Sequence, residues 1–193
     1  MFVEGISIVN SNSGSAQAIK EAFRALLRTT PYDAITVNDI SAAAFVSKKT
    51  FYKYFESKQD AVHAIYRDDF IQPVHDIRAY LEVDNSPSVI SLMLEKNYAT
   101  LYANRDIYLN LVKNYGWEKF VELRIASAQE TNKEIYACRG VKGLELEYAA
   151  YFVAAASAMV DLRWIREGFK ETPQEMAALY ARWILCRFDH LDE

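Results

Sequence analysis

Lys48, Lys49, Lys53 and Lys58 fall within a span of eleven residues in a 193-residue chain whose formal net charge is −4. Ser47 stands just ahead of them, and Thr50, Tyr52 and Tyr54 lie between them. Ammonium groups interleaved with hydroxyls suit the holding of a polyanion, because lysine answers phosphate charge and hydroxyls add hydrogen bonds. Residues 16 to 60 hold seven basic and five acidic side chains, a local balance of +2, so the remainder of the chain carries −6. The acidic average hides a small positive footprint.

No comparable grouping points to catalysis. His63, His75 and His190 are scattered and read as solvated or hydrogen-bonded helix residues, and Cys138 and Cys186 lack a metal-ligand spacing. There is no Ser/His/Asp set, paired-carboxylate site, HExxH run or phosphate-binding glycine loop. The chain is expected to be no enzyme and to need no cofactor or metal.

Hydrophobic residues make up 51% of the chain, enough for a real core, and no apolar run approaches the ~18 residues that span a bilayer. With no secretory leader visible and only two cysteines, the expected home is the reducing cytoplasm, away from membranes. The opening "MFVEGISIVNSNSGS", residues 1–15, reads as a polar arm.

The elements that must position the lysines are helices. Six glycines, four prolines and long helical periodicities indicate an all-α protein of about nine helices. Ile19, Ala22, Phe23, Leu26 and Leu27 set the face of a first helix over about Ala16–Arg28. Thr36, with Asp39 three residues on, starts a short second helix, and Ser47 starts a third. Ser57 opens a long fourth helix carrying Val62, Ile65, Tyr66, Phe70, Ile77 and Leu81, which Pro73 should kink. Further helices are expected over Pro87–Ala103, Arg105–Asn114, Trp117–Tyr136 and Leu144–Glu167, the last closed by Gly168. "TPQE" from Thr172 opens the final helix.

On a wheel turning about 100° per residue, Phe51 and Phe55 share one face of the third helix and Lys49 and Lys53 the opposite one. A short helix, a tight connection at Phe45 and Val46, and a cationic second helix have the layout of a helix-turn-helix. On periodicity alone the same pattern also fits an ordinary solvated helix. The capped starts at Thr36 and Ser57 would offer backbone N–H groups to phosphates, with Lys58 adding charge.

The segment "ITVNDISAAAFVSKKTFYKYFESKQD" resembles the DNA-binding domain of the tetracycline-repressor (TetR) family, whose pattern is roughly ITVxxIAxxAGVSxxTFYxYFxxKxxL. The resemblance runs from Ile35 to about Val62. It implies that Thr36, Lys48, Lys49, Thr50, Tyr52, Tyr54 and Lys58 face DNA. Ser47 joins them through the motif and Lys53 from the wheel. Two departures stand out: Phe45 replaces the usual turn glycine, and the arm lacks the basic residues common before the first helix.

The helix over Leu144–Glu167 is apolar across a wide arc, which fits either a fully buried helix or one covered by a second copy. Tyr148, Phe152, Ala155 and Met159, with Met176, Tyr180 and Trp183 of the last helix, are the expected homodimer interface; the resemblance favours this, since such regulators pair through their last two long helices. "NRDIYLNLVKNYG" and "YFVAAASAMVDLRWIREGFKETPQEMA" are similar to the C-terminal domain of a TetR subgroup related to dihydroxyacetone-kinase regulators. The family resemblance implies an effector cavity among Asn97, Tyr98, Tyr102, Arg105, Tyr108, Trp117, Phe120 and Arg124, though the aromatics also read as plain core. The expected organisation is an arm at 1–15, a DNA-binding domain at 16–60 and an effector and dimerisation domain at 61–193. The expected function is a ligand-responsive repressor binding a palindromic double-stranded operator as a homodimer. The alternative is a TetR-like co-activator or interaction module whose effector is another protein.

Overall fold

The computed structural model describes residues 14–70, 87–138 and 140–185. Nine α-helices and no strand occur among the described residues. They are α1 (Gly14–Thr29), α2 (Val37–Ala43), α3 (Lys48–Tyr54), α4 (Lys58–Phe70), α5 (Pro87–Ala103), α6 (Arg105–Asn110), α7 (Trp117–Cys138), α8 (Gly143–Arg166) and α9 (Pro173–Leu185). The protein is therefore all-α, as its composition and periodicity require. Pro73, Ile77, Leu81, His75, Cys186 and His190 lie outside the described residues, as do residues 1–13 of the arm and the side chain of Trp183. The backbone divides into two compact units, one reaching Ile65 and the other starting at Tyr66.

In the first unit α1 packs on α2 and α3. Ile19, Phe23 and Leu27 of α1, Ile40 of α2, Phe51 and Phe55 around α3, and Val62 and Ile65 of α4 are buried together. Each such side chain contributes roughly 1.5–3 kcal/mol of burial, and that holds the seven-residue helices α2 and α3, too short to persist alone. Capping supplies the rest. Thr36 and Asp39 form a reciprocal capping box, Asp39 N–H donating to Thr36 Oγ1 at 3.2 Å and Thr36 N–H to Asp39 Oδ2 at 2.8 Å.

The connection between α2 and α3 is a Schellman turn. Val46 N–H donates to the Ser41 carbonyl at 3.0 Å and Phe45 N–H to the Ala42 carbonyl at 3.1 Å, with Phe45 at φ 54°. A phenylalanine thus occupies the left-handed position that glycine takes freely, at a cost of about 1–2 kcal/mol. The end of α8 makes the same pair of bonds, from Phe169 to Trp164 at 2.9 Å and from Gly168 to Ile165 at 3.0 Å. There glycine holds the first left-handed position, and Phe169, also left-handed at φ 58°, packs its ring 4.7 Å from Trp164.

In the second unit α7 packs along α8, and α5 along α9. The expected single helix over Arg105–Asn114 is instead α6 followed by a π-helical turn, Leu111–Tyr115. Gly116 N–H closes that turn on the Leu111 carbonyl at 3.2 Å, and Gly116 itself stands at φ 113°, a value open to glycine. Thr172 and Glu175 form a second capping box at the start of α9.

Candidate functional site

The sequence of α3 sorts its side chains to two faces. Phe51 and Phe55 are 0% and 3% exposed, their rings 5.7 Å apart, and anchor the helix to its unit. Lys48, Lys49, Tyr52 and Lys53 are exposed and Thr50 and Tyr54 half-buried. Ser47 caps the helix, accepting from Thr50 N–H at 3.0 Å, and its hydroxyl shares a 2.8 Å hydrogen bond with Thr50 Oγ1. Among the described residues no carboxylate pairs with Lys48 or Lys49, the first turn of α3 holds no acidic residue, and the Lys53 ammonium rests 5.4 Å from the centre of the Tyr54 ring. The result is a rigid rod showing three ammonium groups and a phenol outward, a face suited to the sugar-phosphate backbone and groove edge of a duplex.

Two expected members of that face point elsewhere. Lys58 turns inward, its Nζ donating to the carbonyls of Tyr32 and Ile35, each at 2.6 Å, and lying 4.0 Å from the Tyr32 ring centre. Burial lowers the pKa of its ammonium, with Asp33 opposing. Its role here is to tie the start of α4 to the loop before α2. Thr36 also has its hydroxyl engaged, donating to Asp39 Oδ2 at 2.6 Å. At the starts of α2 and α4 the cap hydroxyls each take one helical N–H, Thr36 that of Asp39 at 3.2 Å and Ser57 that of Asp60 at 3.1 Å. The Asp39 and Asp60 carboxylates accept from the N–H groups of Thr36 at 2.8 Å and Glu56 at 3.1 Å, which places a negative charge beside each start.

The candidate effector residues separate into an interior and a rim. Tyr98, Tyr108, Phe120 and Arg124 are buried together. Arg124 Nε lies 2.6 Å from Asp161 Oδ2, and Asp161 is 0% exposed. Tyr108 donates to Asp69 at 2.5 Å, and the Tyr66 ring meets those of Tyr108 and Phe120 edge-on. Burial opposes the charge on Arg124, but the surrounding Tyr66, Asp161, Tyr98 and Tyr180 more than offset it and raise its pKa. Burial and then the Asp161 carboxylate push the Tyr98 phenol well up. Tyr98 Oη and Asp161 Oδ1 form no well-aligned hydrogen bond among the described residues, although the two side chains lie close enough to interact. Asn97 is half-buried, whereas Tyr102, Arg105 and Trp117 are on the outside. Tyr102 stacks on Trp164, Arg105 lies over Tyr102, and Arg166 lies over Trp117.

Sequence reading missed Asp161, Tyr66 and Trp164. Asp161 carried a signal, a lone carboxylate among the apolar residues of "AMVDLRWI". Arg124 on another helix was the other half of it.

Of the expected dimer residues, Tyr148, Phe152 and Met159 are 69%, 56% and 52% exposed, and Leu144 and Tyr151 extend the same stripe along α8. Ala155 is half-buried within it. Met176 and Tyr180 are instead covered by their own chain. Tyr180 packs edge-on against Tyr98 of α5 and donates to the Val153 carbonyl at 3.3 Å. The apolar stripe of α9 already has α5 as its partner.

A three-helix head with a left-handed turn leading into an outward cationic helix is a helix-turn-helix module, the class of fold found in transcription regulators. Residues 19–65 match the family described as bacterial regulatory proteins, tetR family, and residues 90–185 the one described as transcriptional regulator C-terminal region. The chain belongs to the TetR family of transcriptional regulators, a family of regulators and not of enzymes.

The HTH-type dhaKLM operon transcriptional activator DhaS of Lactococcus lactis subsp. lactis is 29% identical over 79 residues. That match spans 41% of this chain and 42% of the relative, less than half of its length. Among solved structures, the dihydroxyacetone kinase operon activator DhaS superposes with a TM-score of 0.69 at 19% identity, covering 91% of this chain and 96% of that one. The fatty acid degradation regulator FadR from Bacillus halodurans gives 0.59 at 16%, covering 92% and 98%. At these identities the structures establish the shared all-helical fold. No helix among the described residues is long and apolar enough to cross a membrane.

Proposed function

We propose that the chain is a homodimeric regulator that reads a palindromic duplex operator through Lys48, Lys49, Thr50, Tyr52, Lys53 and Tyr54, under the control of an effector bound in its C-terminal unit. The observation that carries the reading is the outward face of α3, where no carboxylate of the described residues lies against Lys48 or Lys49 while Phe51 and Phe55 fix the helix from behind. Ser47 and Thr36 take part as the caps that hold α3 and α2 in place.

The stripe Tyr148, Phe152, Ala155 and Met159 supports the dimer. Large apolar side chains half or more exposed along one helix face call for a cover, and an isologous second copy supplies one with two-fold symmetry. Two-fold symmetry in turn calls for half-sites one duplex turn or a multiple apart. Tyr98 Oη and Asp161 Oδ1, buried near each other and without a well-formed hydrogen bond among the described residues, support an effector site in the interior rather than at the rim of Tyr102, Arg105 and Trp117. An effector alters DNA affinity only by binding the competent and incompetent forms unequally.

Repression is the output expected from the family pattern. A second reading, activation, is favoured by the Lactococcus relative, which is an operon activator. Selection from a random duplex library is the direct test. Enrichment of an inverted repeat supports the reading, and a library that stays unenriched at low salt contradicts it. A reporter carrying the selected repeat then separates repression from activation by the sign of its response.

A further inference from the structure

Phe45 is 97% exposed, although its side chain is wholly apolar and its backbone stands at φ 54°. The two Schellman turns set it apart. At the end of α8 glycine holds the first left-handed position, and the left-handed Phe169 behind it is 4% exposed, packed on Trp164. At the end of α2 phenylalanine holds that first position itself, and no packing among the described residues offsets its backbone strain. Within the folded chain glycine would serve this turn better. Strain kept by a residue whose ring stays open to solvent is a pointer to a role outside its own fold.

The position in the chain indicates what lies outside. Phe45 is followed by Val46, the Ser47 cap, and then Lys48 and Lys49 at the start of α3. In a helix-turn-helix that end of the second helix is the one that approaches base edges, so the turn ahead of it runs beside the groove. We propose that Phe45 is a DNA-contacting residue whose ring packs on apolar parts of the duplex at the groove edge, the thymine 5-methyl groups and deoxyribose carbons. The proposal rests on the reading of α3 as the DNA-facing helix. An apolar contact removes ring surface from water and releases no counterion, so it adds affinity without adding salt dependence.

The test uses the full chain and the duplex that the wild type enriches from a random library. Affinity and its salt slope are measured for wild type, Phe45→Gly, Phe45→Leu and a Lys49→Ala/Lys53→Ala double variant, with melting temperatures alongside. Phe45→Gly is expected to melt at or above the wild-type temperature, to bind roughly ten-fold more weakly and to keep the wild-type salt slope. Phe45→Leu is expected to recover most of the lost affinity. Replacing thymine by deoxyuridine locates the contact. Weaker wild-type binding with no further loss in Phe45→Gly assigns it to the methyl groups, and equal responses assign it to the sugars.

Phe45→Gly binding as tightly as wild type overturns the proposal, and so does a lowered melting temperature, which would give the ring a role in the fold. If the lysine double variant loses affinity while Phe45→Gly does not, only the Phe45 contact fails. If neither loses affinity, or if no duplex is enriched, the reading of α3 fails with it.

Discussion

Arg124 lies inside the second unit with its Nε 2.6 Å from Asp161 Oδ2, whereas Lys48 and Lys49 stand on the open face of α3 with no carboxylate of the described residues against them. Both sets are cations on helices, and the difference between them is where the counter-charge resides. A guanidinium taken out of water must bring its partner with it, because desolvation costs several kcal/mol per ion. An exposed lysine has no such need and contributes little to stability, so its counter-charge can belong to another molecule. The contrast separates charges that specify the fold from charges that are left for recognition.

The largest expected effect tests the interior half of that contrast. Asp161→Ala removes the carboxylate that lies against the buried Arg124 guanidinium and should destabilise the chain by about 3–5 kcal/mol. The Lys49→Ala/Lys53→Ala variant should stay within about 0.5 kcal/mol of wild type per site. Urea unfolding of the two side by side measures this, and equal losses would erase the distinction.

A smaller effect follows from placing a charge on the uncovered apolar face. Phe152→Glu puts a carboxylate in the α8 stripe, where a second copy would have to bury it, and should raise the dimer dissociation constant about 100-fold or more. Sedimentation velocity across a concentration series reads this directly. A wild type that sediments as a monomer at every concentration would contradict the stripe's assignment.

Much of this was legible in the sequence because it depends on local rules. The spacing of Phe51 and Phe55, the Thr36 and Thr172 capping boxes and the Gly168 stop each involve neighbours along the chain, and each is found in the structure. What was not legible depends on distant partners. Nothing near Lys58 announces that its ammonium seats on carbonyls 23 and 26 residues away. Tyr180 read as an interface residue because periodicity reports an apolar face and not which helix covers it. Asp161 and Arg124, 37 residues apart, became intelligible only as a pair.

The caps carry the smaller effects. Thr36→Ala removes the α2 cap and should destabilise the chain by about 1 kcal/mol. In the folded chain hydrogen bonds from the Thr36 hydroxyl and then its backbone N–H hold the Asp39 carboxyl below its ordinary value. The contribution of this box is therefore complete above the ordinary carboxyl pKa and is lost as pH falls through the lowered folded one. An NMR titration of the Asp39 carboxyl should show its pKa below that of a free aspartate and moving up in Thr36→Ala; an unmoved value would break the link between cap and titration.

The measurement that bears most directly on the central claim is the salt dependence of duplex binding by wild type and by the Lys49→Ala/Lys53→Ala variant. The α3 face predicts that the variant binds more weakly and that its slope of log affinity against log salt is shallower by about one for each phosphate-contacting lysine removed. Equal affinity and an equal slope for the two proteins on the enriched duplex would contradict the account.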